Sequence, residues 1–545
     1  MLALFNDSTD DVPLKEQDES FVGMDSVTKP TLLAPGAVRK GENFWMDIDG
    51  LLRTRPGLRY NTLCNTLPLV AGTKAIQGLG YFDTTAHEAI MAVRNGKLYE
   101  ILSTGISAVT NLLAGPTPSA TADVIFTQLV DRMFYTDGTL RWSLYSAGWA
   151  HGSVTTFSDG TAMPAWKTIC AYKFRLLAVE IDGVKLYSSA IGTAANAADW
   201  VKTENIRVGT GEGDPIKAIL NSTGYLIVIN ERSAWQIDTS NASVANWTVR
   251  NITSITGCVE GKTAVNMGQD VLFLSRYGVV SLGALRDTLS INPSTTLSSA
   301  IQGYIDRINW SAITTAWATT WRDLYLLALP VDTDTSPSIF VTYNLRTKAW
   351  ATPWKSTLAT ADLTGGNTAA FTGWAAGVLT RFANKQETML ADSCGRLFKV
   401  DDTYDRDDNT AMDANLIVSW ATLRAHAFGS EEAYKQPFWV ELEWFKSTGA
   451  GVQINLLRDG LKAYPDKALN ACEIIDSNLG TNNLKTFPML FPMVFQSNET
   501  YRISRSIRGF NRFREASIQI VCQQGTMKLR TTRFAAFVDT PALVG

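Results

Sequence analysis

Residues 89–102 read AIMAVRNGKLYEIL: a short alternating apolar run, the pair Asn95-Gly96, then a second short run. Asn-Gly supplies the positive φ angles that a two-residue turn between twisted strands requires, so the stretch reads as a β-hairpin. The pattern recurs. RMFYTDGTLRWSL (132–144) and RLLAVEIDGVKLYSS (175–189) carry Asp137-Gly138 and Asp182-Gly183 at their turns. YLIVINERSAWQID (225–238) and DVLFLSRYGVVSLG (270–283) place Ser233 and Tyr277-Gly278 at the matching points. A longer version, DLYLLALPVDTDTSPSIFVTYNL (323–345), precedes a last copy, TMLADSCGRLFKVD (388–401).

The spacing is even. Through Gly96, Gly138, Gly183, Ser233 and Gly278 the steps are 42, 45, 50 and 45 residues, and Gly395 follows 117 residues later with the long hairpin between. A period of about 40–50 residues with four short strands marks a β-propeller blade. Unrelated hairpins in a large sandwich would not need so regular a step. The reading is an all-β protein: a β-propeller of six to eight blades with an additional C-terminal β-rich, sandwich-like domain. Helical periodicity is confined to residues 296–308. Residues 1–30 read as an acidic irregular arm, 31–403 as the propeller, and 404–545 as a C-terminal domain that packs on or closes it. PFWVELEW (437–444), VQINLL (452–457), ASIQIVCQ (516–523) and MKLRTTRFAAFV (527–538) are its expected strands.

Composition narrows the function. The chain has 545 residues, 45% hydrophobic and 19% charged, which is that of a folded globular protein. Its net charge of −3 supplies no general field for gripping nucleic acid or an acidic membrane. Six cysteines lie far apart with no C-x-x-C pair, and the three histidines, His87, His151 and His426, form no metal-binding spacing. No cofactor or metal is expected. The first twenty residues lack a basic n-region, and no apolar stretch reaches the ~18–20 residues of a membrane span. Synthesis in a cytoplasm and no membrane-spanning segment are the expectations.

Four stretches invite chemistry. GCVEGKT (257–263) nearly spells a phosphate-binding loop, but only three residues separate Gly257 from Gly261, and AVNMGQDVLFLS follows Lys262-Thr263 where a helix should start. It reads as a connection into the next blade, with Gly257 and Gly261 as turn residues. GTGEGDP (209–215) has Asp214 at the third glycine position and Pro215 after it, so an inter-blade loop replaces a dinucleotide fingerprint. DDTYDRDDN (401–409) spaces Asp405, Asp407 and Asn409 like a calcium loop, yet Thr410 and Leu416 stand where Gly and Glu belong, leaving a solvated linker. Arg502, Arg505, Arg508, Arg512 and Arg514, in YRISRSIRGFNRFR, form a basic run suited to an interface, to phosphates on a DNA path, or to acidic residues of a partner subunit. No catalytic residues stand out.

Several stretches together resemble a family of bacteriophage virion proteins. Leu33, Pro35, Gly36, Asn43, Gly50, Arg55, Pro56 and Gly57 match the opening of phage tail β-propellers. GEGDPIKAILNSTGYLIVINERSAWQI and GCVEGKTAVNMGQDVLFLSRYGVVSL resemble two consecutive blades, and LADSCGRLFKVDDTYDRDD leading to SWATLRAHAFGSEEAYKQ resembles the exit into a C-terminal β-domain. The likeness spans most of residues 23–540 and is nearest to the tail nozzle (tail tubular protein B-like) proteins of short-tailed, podovirus-like phages.

The resemblance implies a non-enzymatic structural protein of the virion tail. Several copies, typically six, would form a homo-oligomeric ring as conduit for DNA ejection, beside portal and adaptor proteins and tail fibres or a tail needle. DNA would pass without specific binding. The short acidic start and low basic content depart from the family. Two other readings stay open: a tail-tip propeller that binds host-surface glycan, and an envelope glycoside hydrolase.

Overall fold

The computed structural model describes residues 13–60, 76–85, 87–102, 110–111, 118–139, 141–145, 150–209, 213–222, 225–268, 270–283, 296–356, 371–381, 385–404, 406–407, 416–445, 451–458, 472–477, 500–506, 513–524 and 527–538. Among these, seven small antiparallel sheets follow one another along the chain. Blade 1 runs Ile76–Asp83, Glu88–Arg94, Lys97–Leu102 and Thr110–Asn111; blade 2 runs Ile125–Leu129, Arg132–Thr136, Trp142–Tyr145 and Ala150–Ser153. Blade 3 begins at Trp166–Tyr172, blade 4 at Ile216–Ser222, blade 5 at Val265–Asn266, blade 6 at Trp317–Trp321 and blade 7 at Trp374–Thr380. Each of these first strands packs on the first strand of the next blade, and the seventh returns to the first. The ring is closed. The fold is a seven-bladed β-propeller.

Each of the seven hairpins read from the sequence is the second and third strand of one blade. Asn95 and Gly96 both have positive φ, 50° and 69°, as the primed turn demands. The second strands are apolar at nearly every position, because a blade is covered on both faces. In Glu88–Arg94, Ile90 and Ala92 face blade 7 alongside Met389 and Leu397. Ala89, Met91 and Val93 face blade 2 alongside Met133 and Tyr135. The same division recurs at Leu226 and Val228 against Ile227 and Ile229 in blade 4. Simple alternation with one polar face is therefore the wrong pattern for these strands.

Closure joins the two ends of the array. Gly57–Tyr60, which precedes blade 1 in sequence, is the outer strand of blade 7, pairing Phe398 with Tyr60 and Asp401 with Gly57. Ring closure thus does not depend on packing alone; a hydrogen-bonded strand fastens it.

Two further sheets, each of six strands, make a sandwich. One contains Thr500–Ser506, Lys435–Phe445, Lys528–Val538, Leu52–Thr54 and Phe44–Met46, with Leu14–Asp18 beside Lys528–Val538. The other contains Gly23–Met24, Ala37–Glu42, Ser419–His426, Ala516–Gln524, Gly451–Arg458 and Cys472–Ser477. Both chain ends build it. The arm expected to be irregular over 1–30 holds the strand Leu14–Asp18, paired residue by residue with Asp18 opposite Thr532 and Leu14 opposite Ala536. Residues 37–54 likewise pair within the sandwich, although the sequence reading gave them to the propeller. The signal was weak because those strands are three to six residues long; Phe44–Met46 and Leu52–Thr54 form a local hairpin, but that hairpin, Leu14–Asp18 and Ala37–Glu42 join the sandwich through strands hundreds of positions away.

Sandwich and propeller share one core. Val440, Leu442, Ile518, Ile520 and Phe534 of the sandwich belong to the same buried cluster as Trp317, Trp321, Phe340, Trp354, Trp374 and Phe398 of blades 6 and 7. Trp45 meets Trp321 edge to face at 5.5 Å between ring centres, and Trp321 meets Trp354 at 5.9 Å. Such aromatic pairs add directional preference to ordinary burial.

Candidate functional site

The near-P-loop lies at the propeller axis. Gly261–Thr263 form a single 3-10 turn, followed by the two-residue strand Val265–Asn266. The backbone N–H of Lys262 donates to the Glu260 carboxylate at 3.3 Å, and the Thr263 hydroxyl donates to the Glu260 carbonyl at 2.7 Å. The hydroxyl also accepts from the Leu274 N–H, so it is consumed within the fold. Neither glycine sits at positive φ. A Cβ on Gly257 would lie 2.2 Å from the Asn230 carbonyl oxygen, and one on Gly261 would lie 2.1 Å from that of Lys217. Close approach of backbone, and not turn geometry, is what requires glycine there.

Lys262 reaches across the ring. Its Nζ donates to the Asp123 carboxylate and to the Thr314 carbonyl, both at 2.8 Å. Lys262 leads into blade 5, Asp123 into blade 2 and Thr314 into blade 6. In a ring of seven, blades 2 and 5 are as far apart as two blades can be. The pair therefore bridges the axis at the end where the first strands begin. Lys217, one residue into its own first strand, faces Glu231 at 3.5 Å. Burial holds the Glu260 carboxyl above its usual value against the pull of Lys262 and Lys217. Burial also lowers the Lys167 ammonium, helped by the like charge of Lys217. The charges here are balanced and mutually engaged.

At the other end, a cleft of about 390 Å³ opens between blades 6 and 7, lined by Trp321, Arg322, Glu387, Lys399, Asp401 and Asp402 among others. Arg322 lies over the Trp321 ring at 4.7 Å and holds Asp402 at 2.5 Å, while Lys399 pairs with Glu387. Burial would raise Asp401, but the hydroxyl and N–H of Thr403 outweigh it and leave the carboxyl below its usual value. A general acid for glycoside cleavage needs the opposite shift. The aromatic face that could stack a sugar is covered by Arg322.

A third site sits where the chain enters and leaves the propeller. Arg55 is buried and makes a two-pronged pair with Asp407, Nη1 to Oδ1 at 2.8 Å and Nη2 to Oδ2 at 2.5 Å. Its Nε donates to the Asn43 side-chain oxygen at 2.9 Å, which also accepts from the Lys355 N–H at 2.7 Å. Asn43 sits at φ 65°, a conformation that asparagine tolerates better than most residues. The linker reading of 401–409 is corrected here: Asp407 is fully buried. It was invisible in sequence because its partner is Arg55, more than three hundred residues away. Asp405 and Asn409 lie outside the described residues.

The arginine run is divided between two sheets. Arg502 and Arg505 stand on the edge strand Thr500–Ser506, opposite Glu443 and Val440. Arg514 precedes Ala516–Gln524 in the other sheet; its guanidinium lies over the Tyr434 ring at 5.2 Å, and its carbonyl accepts from Lys435. Arg508 and Arg512 lie outside the described residues. Among the described residues there is no group of His, Cys, Asp and Glu suited to a metal, and no helix is long and apolar enough to cross a membrane. Burial pushes the Cys170 and Cys258 thiols up to about 12, so neither is a ready nucleophile.

No family model matches the sequence, and no curated protein matches it. Solved structures with a similar fold include the extracellular domain of the one-component system BT4673 from B. thetaiotaomicron, at 8% identity and a TM-score of 0.40, covering 94% of this chain. The chain spans 63% of the length of that domain. Others are the N-terminal domain of Nup159, at 10% identity, TM-score 0.34 and 70% of this chain against 98% of that one. The CNH domain of AfRom2 is similar at 6% identity, TM-score 0.37 and 61% of this chain against 97% of its own. Nothing about function follows from likenesses at this level.

Proposed function

We propose that this protein is a structural subunit of a phage tail nozzle, a ring of copies through which DNA leaves the particle. The reading starts from the resemblance at residues 23–60, 390–408 and 419–436. The observation that carries it further is the Asn43–Arg55–Asp407 junction. Three positions from the stretches that carry the resemblance meet there and lock the propeller to the sandwich. A subunit that must hold shape while a genome passes gains from such a joint. Residues selected for binding or catalysis would instead gather around an open pocket.

The charge fits the same role. A conduit with many strong Lys and Arg contacts would grip phosphate and make passage steeply salt-dependent. A net charge of −3 and internally paired lysines avoid that. Subunit contacts are assigned to the strand Thr500–Ser506, which ends its sheet among the described residues and carries Arg502 and Arg505.

The glycan-receptor reading, which has the cleft between blades 6 and 7 but a Trp321 ring already covered by Arg322, is second. Native mass spectrometry of the purified chain separates the two. Closed rings of one stoichiometry, typically six, support the nozzle. A strict monomer that binds host-surface oligosaccharide moves the case to receptor recognition.

A further inference from the structure

Among the described residues, two strands that end their sheets carry opposite charge. Thr500–Ser506 ends one sheet of the sandwich with Arg502, and Cys472–Ser477 ends the other with Glu473 and Asp476. The backbone groups along such an edge are a template for another strand. Register decides which residues share a face. Arg502 and Ser504 stand opposite Glu443 and Glu441 of Lys435–Phe445. Arg530 and Arg533 of the following strand already hold those two carboxylates. Charge therefore alternates strand by strand across this face, from arginine to glutamate to Arg502, and stops there on a cation.

On the other edge strand, Asp476 stands opposite Gln453 and Glu473 opposite Asn455. Residues three apart in a regular strand lie on opposite faces. Here a bulge at Ile474 absorbs one position, so Glu473 and Asp476 share a face. The next strand presents Val521 and Gln519 beside Gln453 and Asn455, so the register neighbours of these two acids include no cation. The alternate face is apolar on both edges. Ile503 stands opposite buried Leu442, and Ile475 stands opposite Ile454, on the face of buried Leu456.

We propose that Cys472–Ser477 of one copy adds antiparallel to Thr500–Ser506 of the next, with Ile475 opposite Ile503 and Asp476 opposite Arg502. With the bulge kept, Glu473 falls opposite Ser504, diagonal to Arg502 on the same face. The charge alternation continues by one more strand, and the apolar face continues on the other side. Strand addition supplies affinity through the backbone, while these side chains fix register and partner. Each copy carries both edges, so the contact repeats head to tail, as a ring requires. This contact rests on the ring reading above and supplies the two surfaces that join its copies.

Sedimentation velocity of the full chain tests it with two variants, Glu473→Lys combined with Asp476→Lys, and Arg502→Glu. Each alone puts like charges on both edges and is expected to weaken self-association about tenfold or more. An equal mixture brings opposite charges together at every contact and should restore assembly to the wild-type level. If the wild type assembles and either variant assembles equally well, the contact is overturned and the ring stands. Variants that lose assembly and are not restored by mixing also overturn it, the two edges then joining within one chain. A wild type that stays monomeric overturns the ring and the contact together. Should a variant fail to fold, mixed Asp476→Cys and Arg502→Cys chains decide under mild oxidation. Directly opposed positions lie within disulfide reach, so a covalent dimer that neither chain forms alone supports the contact, and its absence overturns it.

Discussion

The Arg55 guanidinium and the Asp407 carboxylate, 352 positions apart in sequence, form a buried two-pronged ion pair where the chain first enters the propeller and finally leaves it. With both partners dry, loss of either one strands the other. Arg55→Met or Asp407→Leu alone is expected to destabilise by about 3–5 kcal/mol. The double variant should cost much less than the sum, because no charge is left unpaired. Urea unfolding of the four proteins in the cycle measures this; additive losses would mean that the pair does not act as a unit.

The shared aromatic core predicts coupling between sandwich and propeller. Trp45→Ala removes the edge-to-face contact with Trp321 and is expected to cost about 3–5 kcal/mol. Because one cluster spans both parts, unfolding should stay a single transition by calorimetry in the wild type. In the variant it should divide or broaden. A wild-type protein that already melts in two separate steps contradicts the shared core.

Acid should release the N-terminal strand. Glu16 accepts from the Phe428 N–H at 2.7 Å and from His426 at 3.0 Å, beside Arg424. Burial alone would raise its carboxyl, but His426, Arg424 and that N–H together hold it below its ordinary value of 4.5. A carboxylate lowered on folding contributes stability that is present above 4.5 and disappears as pH falls through the lowered folded value. Glu16→Gln should therefore lower stability by about 1–3 kcal/mol near neutral pH and flatten the decline below 4.5. Proteolysis of residues 1–30 as a function of pH follows it; an unchanged acid profile in the variant counts against the assignment.

The axial bridge predicts a negative for nucleotide. Lys262→Ala and Asp123→Ala should each change stability by under ~1 kcal/mol, since the pair is partly open to solvent. Calorimetric titration with magnesium and ATP should give no saturable heat in the wild type. Saturable binding that vanishes in Lys262→Ala would restore the phosphate-loop reading.

The propeller was legible because its hairpins are local: each carries its own turn residues and its own strands, at a nearly constant step. Placing GCVEGKT in a connection followed from the missing helix after Thr263. The sandwich's N-terminal strands were not legible as such: Leu14–Asp18 pairs with residues 532–536, and the short hairpin of Phe44–Met46 with Leu52–Thr54, closed by its own turn at Asp47–Gly50, joins the sheet through residues 528–529. The junction was hidden for the same reason. Asp407 looks like one more acid in a polar stretch until Arg55 is beside it. Close-approach glycines such as Gly257 spell the same letter as turn glycines, and only the neighbouring carbonyl tells them apart.

The central claim is the place of this chain at the tail axis. Electron microscopy of whole particles, with class averaging and an antibody against the chain, tests it most directly. The account predicts a ring of propellers around an open channel at the axis of the tail. Peripheral copies with propeller faces turned outward, or no copies in the particle, would contradict it.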